Sequence, residues 1–147
     1  MEFQGYVRSD GRVGVRNHVL VMPTCACSSD VARMIAAKTP GTVTLNNQHG
    51  CGQVMKDQLV TLNFLSGLAA NPNVHSILLV GLGCEQLNCE VMVKAIREKT
   101  NKPIETVIIQ EAGGIRRTVE QGISAANRLV EAVSYTHLRA HETVLDL

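Results

Sequence analysis

Three cysteines, one histidine and two glutamates stand where chemistry is possible: Cys27, His49 with Cys51, Cys84 with Glu85, and Glu111, each in or beside a turn that follows an apolar run. Thiolates converging from separate loops can hold iron or an iron–sulfur cluster and leave a coordination position open. The alternative is that each thiol is a small buried hydrophobe near a helix start, because free cysteine is among the most buried residue types. No CxxC pair decides between these readings. Cys25 would point away from Cys27 in an extended segment and Cys89 falls inside a helix, so both are expected to pack. His49 sits between Gln48 and Gly50 in a glycine-rich turn, and its imidazole suits a ligand or a general acid or base. Glu85 and Glu111 are able to bind a divalent ion or move a proton, or equally to serve as charges favoured at helix N-termini. Arg12, Arg16 and Asn17 form a polar set suited to a carboxylate substrate; a salt bridge to Asp10 or Glu85 is the competing use.

The elements that must position these residues follow from the apolar pattern. Gly5–Asn17 is a polar lead-in. His18–Met22 is a continuous apolar run of strand length, Pro23–Cys27 turns the chain, and Ser28, Ser29 or Asp30 is placed to cap a helix to about Lys38. Val31, Met34 and Ile35 are expected on its buried face. Thr42–Leu45 reads as a short strand, and Asn46–Gly52 leads into a helix of about Val54–Ala70 with Leu59, Leu62, Leu65 and Leu68 at helical spacing. Ser76–Val80 is the clearest strand, apolar on both faces as in a buried parallel sheet. A helix of about Cys89–Lys99, a strand at Thr106–Ile109 and a helix of about Ile115–Val133 complete the order. Four strand–helix alternations predict an α/β fold, a three-layer Rossmann-like parallel sheet of about four strands.

In such a sheet ligands bind beyond the carboxyl ends of the strands. Those ends deliver Thr24, Cys25 and Cys27; Asn46, Asn47, His49, Cys51 and Gln53; Cys84, Glu85 and Asn88; and Gln110 and Glu111. Glycines at positions 50, 52, 81, 83, 113 and 114 accompany them, permitting close approach of backbone or ligand. One edge of the sheet is therefore expected to be a site. Gly81-Leu-Gly-Cys-Glu-Gln86 is a poor nucleotide fingerprint, since Gln86 replaces the third glycine and the turn follows the third strand.

The 147 residues suit one domain, and a core lacking tryptophan with 3% aromatics must be aliphatic. A formal charge of +1 without basic clusters argues against a nucleic-acid partner. The longest apolar stretch, Val74–Gly83, is far short of the roughly 20 residues a membrane span needs. Met1–Asp10 lacks the order of a signal peptide, so the reducing cytoplasm is the expected compartment and the five cysteines are expected as free thiols or ligands. The domain is placed at residues 1–133. Residues 134–147, with His137 and His141, break the pattern and resemble translated adapter text, so they are excluded from the site.

Gly5-Tyr-Val-Arg-Ser-Asp-Gly-Arg-Val-Gly-Val-Arg-Asn17, Cys27-Ser28, His49-Gly-Cys-Gly52, Gly81-Leu-Gly-Cys-Glu85 and Gln110-Glu-Ala-Gly-Gly114 together resemble the D-galactarate dehydratase/altronate hydrolase family over residues 3–133. The resemblance implies a metal-assisted lyase, with Fe2+ the usual candidate and Mn2+ or an iron–sulfur cluster as alternatives. Such an enzyme converts a sugar-acid substrate to a 2-keto-3-deoxy sugar acid; related members release sulfite from sulfolactate. A thiol-redox domain and a non-catalytic binding module of Rossmann-like shape are the competing classes. By the same resemblance Arg12, Arg16, Asn17, His49, Cys51, Gln53, Cys84 and Glu85 stand at motif positions of the site. The expected roles are His49 and Glu85 catalytic, Arg12, Arg16, Asn17, Gln53 and Glu111 substrate-binding, and Cys27, Cys51 and Cys84 metal-binding. Ile115 replaces an expected threonine. Family members continue into a further C-terminal α/β region and carry or pair with a small N-terminal domain or subunit. The chain is thus expected to hold part of a site, to be inactive alone and to belong to a homo-oligomer.

Overall fold

The computed structural model describes residues 5–140, with side chains through Val133. The lead-in is a small antiparallel hairpin, β1 (Tyr6–Val7) with β2 (Val13–Gly14). Then come β3 (His18–Pro23), α1 (Ala26–Lys38), β4 (Thr42–Thr44), α2 (Met55–Ala69), β5 (Val74–Gly81), α3 (Cys89–Arg97), β6 (Ile104–Ile108), a single turn α4 (Ile109–Ala112) and α5 (Ile115–Ala140). The α/β class is as expected: a four-stranded parallel sheet in the order β4-β3-β5-β6. The strands β3 and β5 are buried on both faces, which is why they read as unbroken apolar runs.

Two cores flank the sheet. On one side Val31, Ile35, Ala125, Ala126 and Leu129 of α1 and α5 pack against Val19, Val21, Leu78 and Val80. On the other, Leu65 and Ala69 of α2 and Met92 and Ile96 of α3 cover Leu20, Met22, Ile77 and Leu79. The chain starts in the interior strand β3, steps out to β4, then returns to the far side of β3 as β5. The connections after β3 and β5 thus leave toward opposite faces, which makes their carboxyl ends the switch point of the sheet.

Several local expectations are corrected. Helix α1 starts earlier than the serines. Cys25, extended at φ −146°, is its N-cap, and the third helical residue, Ser28, reaches back to accept from the Cys25 amide at 3.4 Å. Met34 is 46% and Leu59 53% exposed rather than buried. Glu111 is carried by the α4 turn and not by a strand end, because β6 closes at Ile108. Helix α5 continues past Val133 to Ala140. The side chains of the expected foreign tail, His137 and His141 included, lie outside the described residues. No helix among the described residues is long and apolar enough to cross a membrane.

Candidate active site

The carboxyl edge gathers three loops, and one glycine joins them. Gly50 adopts φ +98°, a conformation that favours glycine, and a Cβ there would lie 2.2 Å from the Thr24 carbonyl oxygen. The loop after β4 therefore rests directly on the turn after β3. Two further bonds fix it: the Ala26 amide donates to the His49 carbonyl at 2.9 Å, and the Leu87 amide donates to the Gly50 carbonyl at 3.2 Å.

Glu85 occupies the switch point itself. Its carboxylate is buried and accepts from the Thr24 hydroxyl at 2.7 Å, the Leu82 amide at 3.1 Å and the Gly83 amide at 2.6 Å. Burial pushes its pKa up. The bonds from Thr24, Gly83 and Leu82 outweigh that and hold it below the usual carboxylate value. The glycine turn is thus an anion cradle already filled by the protein's own carboxylate. Its amides are not free for a phosphate, and Glu85 at neutral pH is a fixed anion with no proton to give.

Beside this junction lies a groove of about 730 Å³ between the loop after β4 and helix α2. The loop side contributes Leu45, Asn46, Asn47, Gln48, His49 and Gln53, and the α2 side contributes Asp57, Val60, Thr61 and Phe64, so that side is apolar only in part. His49 is exposed and lines the groove. Gln53 is turned to structural use: its Oε1 accepts from the Gly50 amide at 3.1 Å, and its Nε2 donates to the Thr61 hydroxyl at 2.9 Å. Sequence reasoning placed Thr24 and Asn47 at the edge and took Ser29 as a candidate helix cap, but gave none of them a part in holding the edge. Ser29 donates to the Asn47 carbonyl at 2.7 Å and accepts from its amide at 3.1 Å. Their type, buried polar, is a signal visible only once the fold is known.

Cys27, Cys51 and Cys84 are exposed free thiols, while Cys25 and Cys89 are buried as expected. Burial, with the nearby Glu85 and Glu111 charges, pushes the Cys89 thiol up to about 12. Among the described residues no group of three or more His, Cys, Asp and Glu side chains is placed to hold a metal ion. Among the described residues, Cys27, Cys51 and Cys84 thus do not come together as a ready ligand set.

The arginine set is not at this edge. Arg16 and Asn17 immediately precede β3, so the length of that strand, roughly 20 Å, separates them from the Thr24 turn. Arg12 is paired with Asp10 at 2.6 Å, the first of the two competing partners, and that bond holds the Asp10 carboxyl below its ordinary value. Asn17 Oδ1 accepts from Arg8 at 2.7 Å, while Arg8 also donates to the Pro72 and Arg16 carbonyls at 2.7 and 3.1 Å. The Arg16 guanidinium donates to the Val15 carbonyl at 3.0 Å. Gly14 packs so close to Pro72 that a Cβ would come within 2.1 Å of its carbonyl oxygen. The lead-in motif thus latches the hairpin onto the amino end of the sheet.

Comparison with known proteins fits this layout. The second domain of the D-galactarate dehydratase/altronate hydrolase family matches residues 5–134. The chain is 28% identical over 138 residues to an altronate dehydratase of Escherichia coli, covering 87% of this chain and 27% of that protein. It is 33% identical over 132 residues to a (2R)-sulfolactate sulfo-lyase subunit beta of Chromohalobacter salexigens, covering 90% and 33%. An altronate dehydratase of Bacillus subtilis is 26% identical over 140 residues, covering 88% and 28%. The chain spans about a third or less of these relatives, and no solved structure matches it. On that match over residues 5–134, the chain belongs to the D-galactarate dehydratase/altronate hydrolase family and corresponds to its second domain.

Proposed function

We propose that this domain supplies one wall of the active site of a carbon–oxygen lyase that removes water from a sugar acid such as altronate or galactarate, giving a 2-keto-3-deoxy sugar acid. The observation that carries the reading is the exposed His49 on a loop fixed to two strand-end turns, at the polar wall of a groove. Elimination beside a carboxylate needs a group that takes or returns a proton at the reacting carbons or at the departing hydroxyl. His49 is the group of this edge suited to that exchange, and Asn46 and Gln48 offer hydrogen bonds to substrate hydroxyls. Glu85 acts behind it as a fixed charge that shapes the turn carrying Cys84. A divalent metal, iron first among the candidates, would need donors from beyond these residues to complete a set with Cys27, Cys51 or Cys84. Arg12, Arg16 and Asn17 would meet substrate only through another part of a larger assembly.

The opposite wall of the groove points the same way. Val60 and Phe64 are 68% and 66% exposed, and Val54, Met55 and Leu59 are exposed beside them on α2. A patch of this kind marks an interface. The occupant proposed for it is the further polypeptide that relatives about three times as long possess, in a cytoplasmic, multi-domain enzyme.

A sulfo-lyase is the second reading, favoured by the 33% identity to the sulfolactate enzyme subunit. Titrating the 15N-labelled chain with altronate, galactarate and (2R)-sulfolactate tests both. The expected shifts are confined to Asn46–Gln53 and the Cys84 turn, with the strongest ligand naming the leaving group. No shift there with any of the three, or equal shifts with succinate, refutes the reading.

A further inference from the structure

His49 projects from an exposed loop, yet its backbone is held at both polar atoms. The carbonyl accepts from Ala26 at the start of α1. The amide donates at 3.0 Å to Oδ1 of Asn47, two residues earlier. Asn47 is only 6% exposed, and each of its polar groups has a partner. Its Nδ2 donates to the carbonyl of Pro23, the last residue of β3, at 3.2 Å. Its own amide and carbonyl both meet the hydroxyl of Ser29, one turn into α1. The loop that carries the histidine is thereby tied through one side chain to the strand and helix beneath it.

We infer that Asn47 is a positioning residue for His49, aiming the imidazole into the groove; the inference rests on the proposed role of that histidine. Only a carboxamide meets both demands at this point. The acceptor for the His49 amide and the donor for the Pro23 carbonyl lie on the two ends of one planar group. Aspartate keeps the acceptor but sets an oxygen against the Pro23 carbonyl, serine is too short to span both partners, and leucine offers neither. A histidine whose main chain is fixed this way loses little further freedom when substrate binds, which is what an acid–base group needs of its support.

The experiment compares the 147-residue chain with Asn47→Ala, Asn47→Asp and Ser29→Ala, read by hydrogen exchange of the His49 amide and by the NMR signals of its ring. Ser29→Ala removes the hydroxyl anchors but leaves the Asn47 side chain in place, so it reports stability loss alone. The expected result is His49 exchange about tenfold faster in Asn47→Ala, with ring signals moved toward those of an unstructured peptide. Ser29→Ala should stay within about twofold of the parent at His49, whatever its melting temperature, and Asn47→Asp, which keeps the acceptor for the His49 amide but loses the tie to Pro23, should fall between the parent and Asn47→Ala. Equal effects of Asn47→Ala and Ser29→Ala on His49 overturn the inference, as does an unmoved ring in Asn47→Ala. If Asn47→Ala does not fold, Asn47→Asp decides: a His49 amide and ring that match the parent overturn the inference. Adding altronate to the parent chain separates the two levels. A ring that ignores the acid refutes the reading of His49, and a ring that responds alike in parent and Asn47→Ala refutes the positioning role alone.

Discussion

Replacing Gly50 with alanine tests whether the three loops are joined by backbone contact. The residue sits at φ +98°, where an L side chain costs about 1–2 kcal/mol. A Cβ would stand 2.2 Å from the Thr24 carbonyl oxygen and 2.9 Å from the Cys25 Cα, against an ordinary contact of about 3.5–4 Å. Both neighbours are main chain, so no rotamer change relieves the clash and the loop must lift. Lifting it strains the bonds to the His49 and Gly50 carbonyls and the 3.1 Å bond from the Gly50 amide to Gln53, each worth about 1 kcal/mol. The summed cost is about 3–5 kcal/mol, a large share of the 5–15 kcal/mol that holds a typical domain. Gly52 is the control, because it also has a positive φ, +69°, but nothing lies within 4 Å of a Cβ there. Gly52→Ala should cost only the conformational part, about 1–2 kcal/mol. At about 2–4 °C per kcal/mol, thermal unfolding should show a fall of about 6–20 °C for the first variant and about 2–8 °C for the second, the first being about two to three times the second. Equal shifts, or a Gly50→Ala melting curve that overlays the parent, would show that the loops are not in contact as described.

Glu85→Gln should cost about 1–3 kcal/mol near neutral pH, because an amide nitrogen then faces backbone donors. The folded pKa of Glu85 is depressed, so its contribution is present above the ordinary carboxylate value and lost as pH falls through the lowered one. Urea unfolding between pH 3 and pH 7 should therefore show a shallower acid loss in the variant than in the parent, and parallel curves would count against a buried, hydrogen-bonded carboxylate. A thiol reagent at neutral pH should modify Cys27, Cys51 and Cys84 quickly and leave Cys25 and Cys89 until urea is added; mass spectrometry of the native sample showing Cys89 labelled first would contradict its burial. Val60→Ser with Phe64→Ser should lower dye binding and self-association of the chain while changing stability by less than about 1 kcal/mol, since both side chains are solvated here. A drop of several kcal/mol would place them in a core.

The main strands were legible because a sheet buried on both faces leaves an unbroken apolar signal, as in Ser76–Val80. The errors over buried helix faces have one physical origin. Helical spacing marks a stripe but not how wide a surface lies beneath it. On helix α2, Leu65 and Ala69 reach the apolar face of β3 and β5, while Leu59, Val60 and Phe64 stay exposed. The β1–β2 hairpin escaped notice for a different reason. Its two-residue strands are held by Arg8 reaching to Pro72 and Asn17, a long-range clamp that leaves no periodic trace.

The edge itself was legible, but the direction of each polar group was not. Residue type at a strand end says that polar atoms gather there, not whether they meet a ligand or one another. Glu85, Gln53, Asn47, Thr24 and Ser29 spend their donors and acceptors inside the protein. His49 and the thiols of Cys27, Cys51 and Cys84 are left facing outward. The inward set is what makes the outward set usable, because a loop rich in glycine has no rigidity of its own. An anion cradle filled from within is closed to other anions: a carboxylate or phosphate cannot take the Leu82 and Gly83 amides without displacing Glu85.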